Sequence, residues 1–344
     1  MILNPFFFTP PPVPGAIAVA YLTTPFVSAY IWNSVSGFGA KYANPITLPA
    51  STGNGVAFAP AGNAIAIAHN NSPFITAYPW SGSGFGVKYA NPVTLPTGNG
   101  SGVAFTASGN AIAVAHATSP YISVYPWSGS GFGTKFANPG ILPPAFSYSV
   151  DFSPAGDAIA ISSPSLPYIS AYAWSGAGFG TKYANPVTPL PQLAQSLAFS
   201  PDGAAIAVAH SFSPFISAYA WTSGSGFGTK YANPASLPAA NCNGVAFTPS
   251  GNVVAATFNF APAPAAYPWN SGTGFGTRFS NPVTPLPNTS MGISFSSAGD
   301  AMGIAHFNSP FVSAYPWSGS GYGTKYADPA TLPTGNGNGI DFKP

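Results

Sequence analysis

Seven of the eight cationic side chains in this 344-residue chain occupy one recurring place, Lys41, Lys88, Lys135, Lys182, Lys230, Arg278 and Lys325, and each is followed by Tyr or Phe. A rim of cations beside aromatic rings could grip an anionic polymer such as a lipopolysaccharide or an acidic capsule. The competing reading is structural: a lysine on an exposed strand edge discourages pairing with another chain, while its stem lies over the neighbouring ring. The structural role is the expectation, because positions spread around a rim cannot converge on one small ligand.

The four histidines also share a place, eleven residues before a tryptophan: His69, His116, His210 and His306, with Tyr21, Ser163 and Phe258 at the corresponding positions. Imidazoles in a ring invite a metal, but zinc holds its ligands at about 2 Å, and sheets stacked face to face stand about 10 Å apart. No metal is expected. The histidines are instead expected to open loops on one face, HNNSPF, HATSPY, HSFSPF and HFNSPF, which carry Phe74, Tyr121, Phe215 and Phe311. Aromatic, hydroxyl and amide groups without charge make this the candidate binding face, suited to carbohydrate.

Three of the six aspartates, Asp157, Asp202 and Asp300, fall in a Gly-containing turn where other copies carry Asn, as residues that bond their own turn do. Asp328 replaces the Asn of an Asn-Pro pair. Asp151 and Asp341 interrupt a short strand where other copies have Ala or Ser. They either line a central channel or find a hydrogen-bond donor between sheets, and the second is expected. No nucleophile elbow, phosphate loop or Cys/His cluster is present. With so few acids, no catalytic residues, no cofactor and no enzymatic activity are expected. The single cysteine, Cys242, excludes an internal disulfide framework.

The elements that position these residues follow from the tryptophans. Trp32, Trp80, Trp127, Trp174, Trp221, Trp269 and Trp317 are spaced 47 or 48 residues apart. A period of about 40 to 50 marks propeller blades or helical arrays, and 39 glycines and 40 prolines rule out the helices. Residues 102–139, GVAFTASGNAIAVAHATSPYISVYPWSGSGFGTKFANP, divide at their turn residues into four extended runs, GVAF, AIAVA, YISVYPW and GTKFANP. One such sheet cannot bury both faces, so copies must pack around an axis. The expected fold is all-β: a seven-bladed β-propeller of four-stranded antiparallel blades, with the Ala-rich second strand near the axis.

Composition sets the surroundings. Only 4% of residues are charged and Glu is absent, against roughly 25% in ordinary soluble domains. Yet 46% hydrophobic and 15% aromatic residues suffice for a large core. Apolar runs of about five residues fall far short of the roughly 20 needed for a membrane helix, so no membrane insertion is expected. A net charge of +2 offers no grip on nucleic acid. The apolar N-terminus lacks a basic region and is broken by prolines, so no classical signal peptide is expected.

The phrases GVAFTPSGN and SLAFSPDGAAIAVAH, residues 196–210, together with ISVYPW, residues 122–127, resemble WD40 and YVTN-like propeller repeats over essentially the whole chain. The charge-poor GFGTKYANP and TLPTGNG phrases are also similar to propeller repeats encoded by bacteriophages, especially marine ones. That similarity implies a particle component. The leading functional expectation is therefore a non-enzymatic structural or host-attachment protein, virion-bound or extracellular, whose partners are other virion proteins, copies of itself or a cell-surface glycan. A secreted lectin-like propeller and a WD40-type protein scaffold are the alternatives.

Each unit opens with a Phe 22 residues before its Trp, but the corresponding position of the first unit is Pro10. The C-terminal GNGIDFKP matches the missing strand, with Ile340 and Phe342 in its Val and Phe positions. Residues 339–342 are expected to supply the innermost strand of the first blade, whose other strands come from residues 15–49. The alternative places residues 4–8 there and leaves the C-terminus as an added strand. On the first reading the propeller is one domain, 15–344, and residues 1–14 form an apolar, Pro-rich arm whose Phe6, Phe7 and Phe8 could contact another subunit.

Overall fold

The computed structural model describes residues 15–260, 264–286 and 289–344. They form seven four-stranded antiparallel sheets, six of them built in chain order from the innermost strand outward. The seven innermost strands surround one axial channel. The expected arm, with Phe6, Phe7 and Phe8, lies outside the described residues.

The second strand explains why the blades pack. In Ala64–His69, AIAIAH, every residue is buried, because both faces of the strand are covered by neighbouring blades. The alternation is one of size rather than polarity. The alanine side of blade 1, Ala16, Ala18, Ala20 and Ala29, packs on the large side of blade 2, Phe58, Ile65, Ile67, Tyr78 and Trp80. The alanine side of blade 2 packs in the same way on Ile112, Val114, Tyr125 and Trp127 of blade 3. Small against large, repeated around the ring, fills the gap between sheets at interior density.

Each tryptophan then meets three rings edge-on. Trp80 has Phe58 of its own innermost strand at 5.1 Å, Phe85 of its own outer strand at 5.0 Å, and Tyr42 of the preceding blade at 5.0 Å. Edge-to-face pairs at this distance contribute about 0.5–1.5 kcal/mol each beyond the area they bury. The ring that follows each rim cation thus turns to the next blade's tryptophan, rather than lying under its own lysine. The clamp also fixes a glycine: Gly84 has φ 95° and an added Cβ would come within 2.9 Å of Tyr42, so both backbone and space exclude a side chain there.

The outer strand differs from expectation. It begins at the Gly of GFG and ends by the Lys, so it covers neither the aromatic nor the Asn-Pro pair. It has five residues in three blades, Gly37–Lys41, Gly178–Lys182 and Gly226–Lys230. In the other four it has two, as in Gly84–Phe85. The residue before the tryptophan decides which. Ile31, Ala173 and Ala220 precede it where the strand is long, whereas Pro79, Pro126, Pro268 and Pro316 precede it where the strand is short. Proline has no N–H to give the outer strand, so the ladder stops.

The ring closes through the C-terminus. Gly337–Phe342 pairs antiparallel with Gly15–Tyr21, with Phe342 opposite Ile17 and Ile340 opposite Val19. Phe342 meets Trp32 at 5.0 Å and Tyr326 of blade 7 meets it at 5.2 Å. Two of the three rings around the first tryptophan therefore come from the last 20 or so residues of the chain.

Two outcomes are expected. Deleting residues 337–344 opens two blade faces and a strand edge, and circular dichroism should show no cooperative melting; a normal transition would refute the closure. Trp80→Ala should lower unfolding free energy by about 3–5 kcal/mol in a denaturant titration, the usual cost of removing a buried large aromatic.

Candidate axial site

The innermost strands present their first residues to one end of the channel. Counting four back from each strand's Phe gives Asn54, Ser101, Tyr148, Gln195, Asn243, Met291 and Asn338, one per blade, and all seven line a cavity of about 500 Å³. Among the described residues, no charged one lines it. The amides are tied to their neighbours. Asn54 Nδ2 donates to Asn70 Oδ1 at 2.9 Å and to the Gly100 carbonyl of the next blade at 2.7 Å. Asn243 Nδ2 does the same with Asn259 Oδ1 at 2.9 Å and the Ser290 carbonyl at 2.8 Å, and Asn338 Nδ2 donates to the Gly53 carbonyl at 2.9 Å. Both amide hydrogens of Asn54 and Asn243 are occupied, which leaves their oxygens as the groups they can offer.

Asp151 and Asp341 stand three residues farther along the same strands, immediately after the cavity-lining Val150 and Ile340. Asp341 accepts the Phe58 N–H of the next blade at 2.8 Å and the Ser294 hydroxyl of the preceding one at 3.1 Å. Asp151 accepts the Phe199 N–H of the next blade at 2.9 Å and the adjacent Phe152 N–H at 2.9 Å. The expected donor between blades is therefore found for both. Each side chain remains only partly exposed. Burial pushes the Asp151 carboxyl up to about 7 and the Asp341 carboxyl up to about 6, against hydrogen bonds that pull both down.

The histidines do not reach a face. They end the second strand rather than opening the loop, and all four are fully buried. Nε2 lies 2.8 Å from the Thr76 hydroxyl in His69, 3.1 Å from Ser123 in His116, 3.0 Å from Ser217 in His210 and 3.0 Å from Ser313 in His306. In His69 and His306 Nδ1 donates to the next residue's carbonyl, so Nε2 accepts the hydroxyl proton. Burial lowers all four, His116 and His210 to about 4. Each belongs to its own blade, and among the described residues no three His, Cys, Asp or Glu side chains gather.

Phe74, Tyr121, Phe215 and Phe311 do lie at the loop face, half-buried, with φ between 68° and 70°. Their backbone has a local task. The Phe74 carbonyl takes the His69 N–H at 3.0 Å, and it sits so close to Gly100 of the next blade that a Cβ there would lie 2.3 Å from it.

The rim cations are half-buried and each holds a side chain three residues on. Lys182 donates to Asn185 at 2.6 Å, Lys230 to Asn233 at 2.5 Å and Arg278 to Asn281 at 2.8 Å. Lys41, Lys88 and Lys135 hold Asn44, Asn91 and Asn138 in the same way, and Lys325 forms an ion pair with Asp328. Each cation fastens the start of its own inter-blade connection, and the structure brings no two of them to one site.

Neither the inward amides nor Tyr148 was singled out by sequence reasoning. Their signal is the residue four before each strand's Phe, Asn before Gly at 54, 243 and 338, together with Tyr148 at that place in the AFSYS of the fourth blade.

The class of protein is a closed seven-bladed propeller with an uncharged axial cavity. No protein-family model matches the chain, and no curated protein matches it. Many solved structures match. A protein of Bacteroides fragilis, provisionally named a 6-phosphogluconolactonase, is 12% identical with a TM-score of 0.76, covering 96% of this chain and 98% of its own. A similarly named protein of Bacteroides uniformis is 14% identical with a TM-score of 0.71, covering 96% and 99%. The periplasmic gluconolactonase of Pseudomonas aeruginosa is 15% identical with a TM-score of 0.71, covering 96% and 99%. At such identities the likeness establishes the fold. The expectation of a non-enzymatic virion component is overturned by these neighbours, which carry lactonase names.

The raised carboxyls have a measurable consequence. Their unfolded value is near 3.8, so the folded state binds protons more tightly. Their stabilising contribution is complete below that value and is lost as pH rises through about 6 and about 7. The buried histidines act in the opposite sense, losing stability as pH falls from about 6.5 toward 4. The double variant Asp151→Asn/Asp341→Asn should therefore gain melting temperature over the wild type as pH rises from about 5 to about 8. A difference that stays constant across this range would contradict the assignment.

Proposed function

We propose that this propeller is a hydrolase that opens a sugar lactone bound at the mouth of the axial channel. The observation that carries the reading is the cavity of about 500 Å³, walled by one residue from every blade and rich in amide and hydroxyl groups. Sites of this kind are concave, of about 300–1,000 Å³, with a few placed polar groups. The lactonase names of propellers that share the fold over nearly the whole chain support the same reading.

Opening a lactone consumes one water. The water oxygen adds to the carbonyl carbon as a base removes its proton, the ring C–O bond breaks, and the proton passes to the departing ring oxygen. Asp151 and Asp341 are the carboxyls next to the cavity wall. Values near 7 and near 6 match a base working close to neutrality. The hydrogen bonds from Phe199 and Phe58 hold each carboxylate in place from the neighbouring blade.

The test is acid release from glucono-1,5-lactone by the full chain in a pH-stat. Opening should exceed the spontaneous rate and rise through about pH 6 to 7 as the carboxyls ionise. Asp151→Asn or Asp341→Asn should lower kcat by about 100-fold or more with little change in KM. A rate equal to buffer between about pH 5 and 8 would sink the reading.

A further inference from the structure

The cavity wall is not sevenfold in its chemistry. Asn54, Asn243 and Asn338 each give one amide hydrogen to the next blade, and Asn54 and Asn243 give the other to Asn70 and Asn259, so their side of the mouth offers acceptor oxygens. In the fourth blade an aromatic residue, Tyr148, takes the corresponding place. The connection leading to it is different in sequence, GILPPAFSYS where the third blade reads VTLPTGNGSG and the first ATLPTGNGNG. Its Tyr148 N–H is tied to the Ser162 carbonyl at 3.1 Å, and its Phe146 ring stands edge-on to Tyr148 at 5.0 Å and 81°. An aromatic plate is thus held in the wall of a cavity whose asparagine oxygens accept hydrogen bonds, beside the neutral hydroxyls of Ser101, Ser149 and Ser196.

Building on the lactone reading, we propose that the cavity selects a neutral, non-phosphorylated sugar ring, and that Tyr148 is the specificity-determining residue on which the ring's C–H face rests. The physical argument has two parts. A sugar's hydroxyls are donors, and they find acceptors in the oxygens of Asn54, Asn243 and Asn338. A phosphate group carries only acceptor oxygens and about −2 charge. Among the described residues of this wall it meets no Lys or Arg, only neutral hydroxyl and amide groups, so its charge is left uncompensated on leaving water. The rim cations cannot substitute, because each is engaged at the circumference with its own Asn or Asp. On the apolar side, a ring lying on Tyr148 buries C–H surface against a plate that Phe146 has already oriented, so little side-chain freedom is lost on binding.

The experiment compares glucono-1,5-lactone with its 6-phosphate, using the full chain and the variants Tyr148→Ala, Tyr148→Phe and Ser101→Arg. The wild type should favour the neutral lactone by about 100-fold in kcat/KM, the scale expected when a charge is left unpaired. Tyr148→Ala should raise KM for the neutral lactone about tenfold with kcat nearly unchanged, and Tyr148→Phe should restore the wild-type value within about twofold. Ser101→Arg, which adds a cation to the wall, should narrow the preference. Thermal melts check that each variant is folded. Calorimetry with the non-hydrolysable neutral lactam separates this proposal from the activity. Lactam binding that weakens about tenfold in Tyr148→Ala upholds the subsite even if no lactone is turned over. Equal or greater activity on the 6-phosphate, or a Tyr148→Ala variant that binds the lactam as the wild type does, overturns it.

Discussion

The interaction on which everything else depends is the grip of three rings on each tryptophan, one of them supplied by the blade before. A single blade has two apolar faces and no means to bury either. Tyr42 on Trp80, repeated as far as Tyr326 on Trp32, turns each blade into the other half of its neighbour's core. A second link runs the same way, since the tyrosine hydroxyl two residues before the tryptophan reaches back to the preceding blade's connection, as in Tyr78 to the Thr47 carbonyl at 2.6 Å. Such a chain of dependencies is stable only when it closes. The last strand, Gly337–Phe342, is thus a structural necessity rather than a remnant of an eighth unit.

Closure also makes the site. Seven innermost strands leave seven unpaired edges around one axis, and backbone groups there need partners. The chain supplies some of them from side chains. Asp341 and Asp151 take N–H groups of the next blade, while Asn54, Asn243 and Asn338 take carbonyls. The result is a channel wall stitched by polar side chains. Carboxyls held in such a wall are pushed toward neutral values because their hydration is lost, and perturbed groups beside a cavity are what proton-transfer chemistry requires. The rim cations follow the same logic at the circumference, where each fastens the turn that leads to the next blade.

The proposed function rests on departures from symmetry. A perfectly repeated propeller would offer seven equal subsites, none able to fix one small molecule in one orientation. Here Tyr148 and Met291 replace amides and hydroxyls at the mouth, and carboxyls appear at only two of seven equivalent strand positions. The expectation of a passive display particle weighed the regularity of the repeats and the low charge. The breaks in the repeat at Tyr148, Asp151, Met291 and Asp341 lie together at the axis.

Much of the fold was legible in the residues. The tryptophan period, the glycines and prolines, the alternation of Ala with Ile or Val, and the match of GNGIDFKP to the missing strand determine seven blades and their closure, because all of these are local patterns repeated in register. The length of the outer strand turns on one N–H, in the Pro or non-Pro residue before each tryptophan, a signal that the reading of GTKFANP as the strand passed over. Other matters were decided only in three dimensions. Whether a histidine opens a loop or ends a strand buried against its neighbour, whether the ring after a lysine lies under it or crosses to the next blade, and whether an asparagine in a connection faces solvent or the axis all depend on what the adjacent sheet brings. The neighbour in each case is about 47 residues away in sequence and in direct contact in space. That is why composition and spacing determined the propeller, and only the packing of blade on blade could gather Asn54, Tyr148, Asp151, Asn243 and Asp341 around one channel.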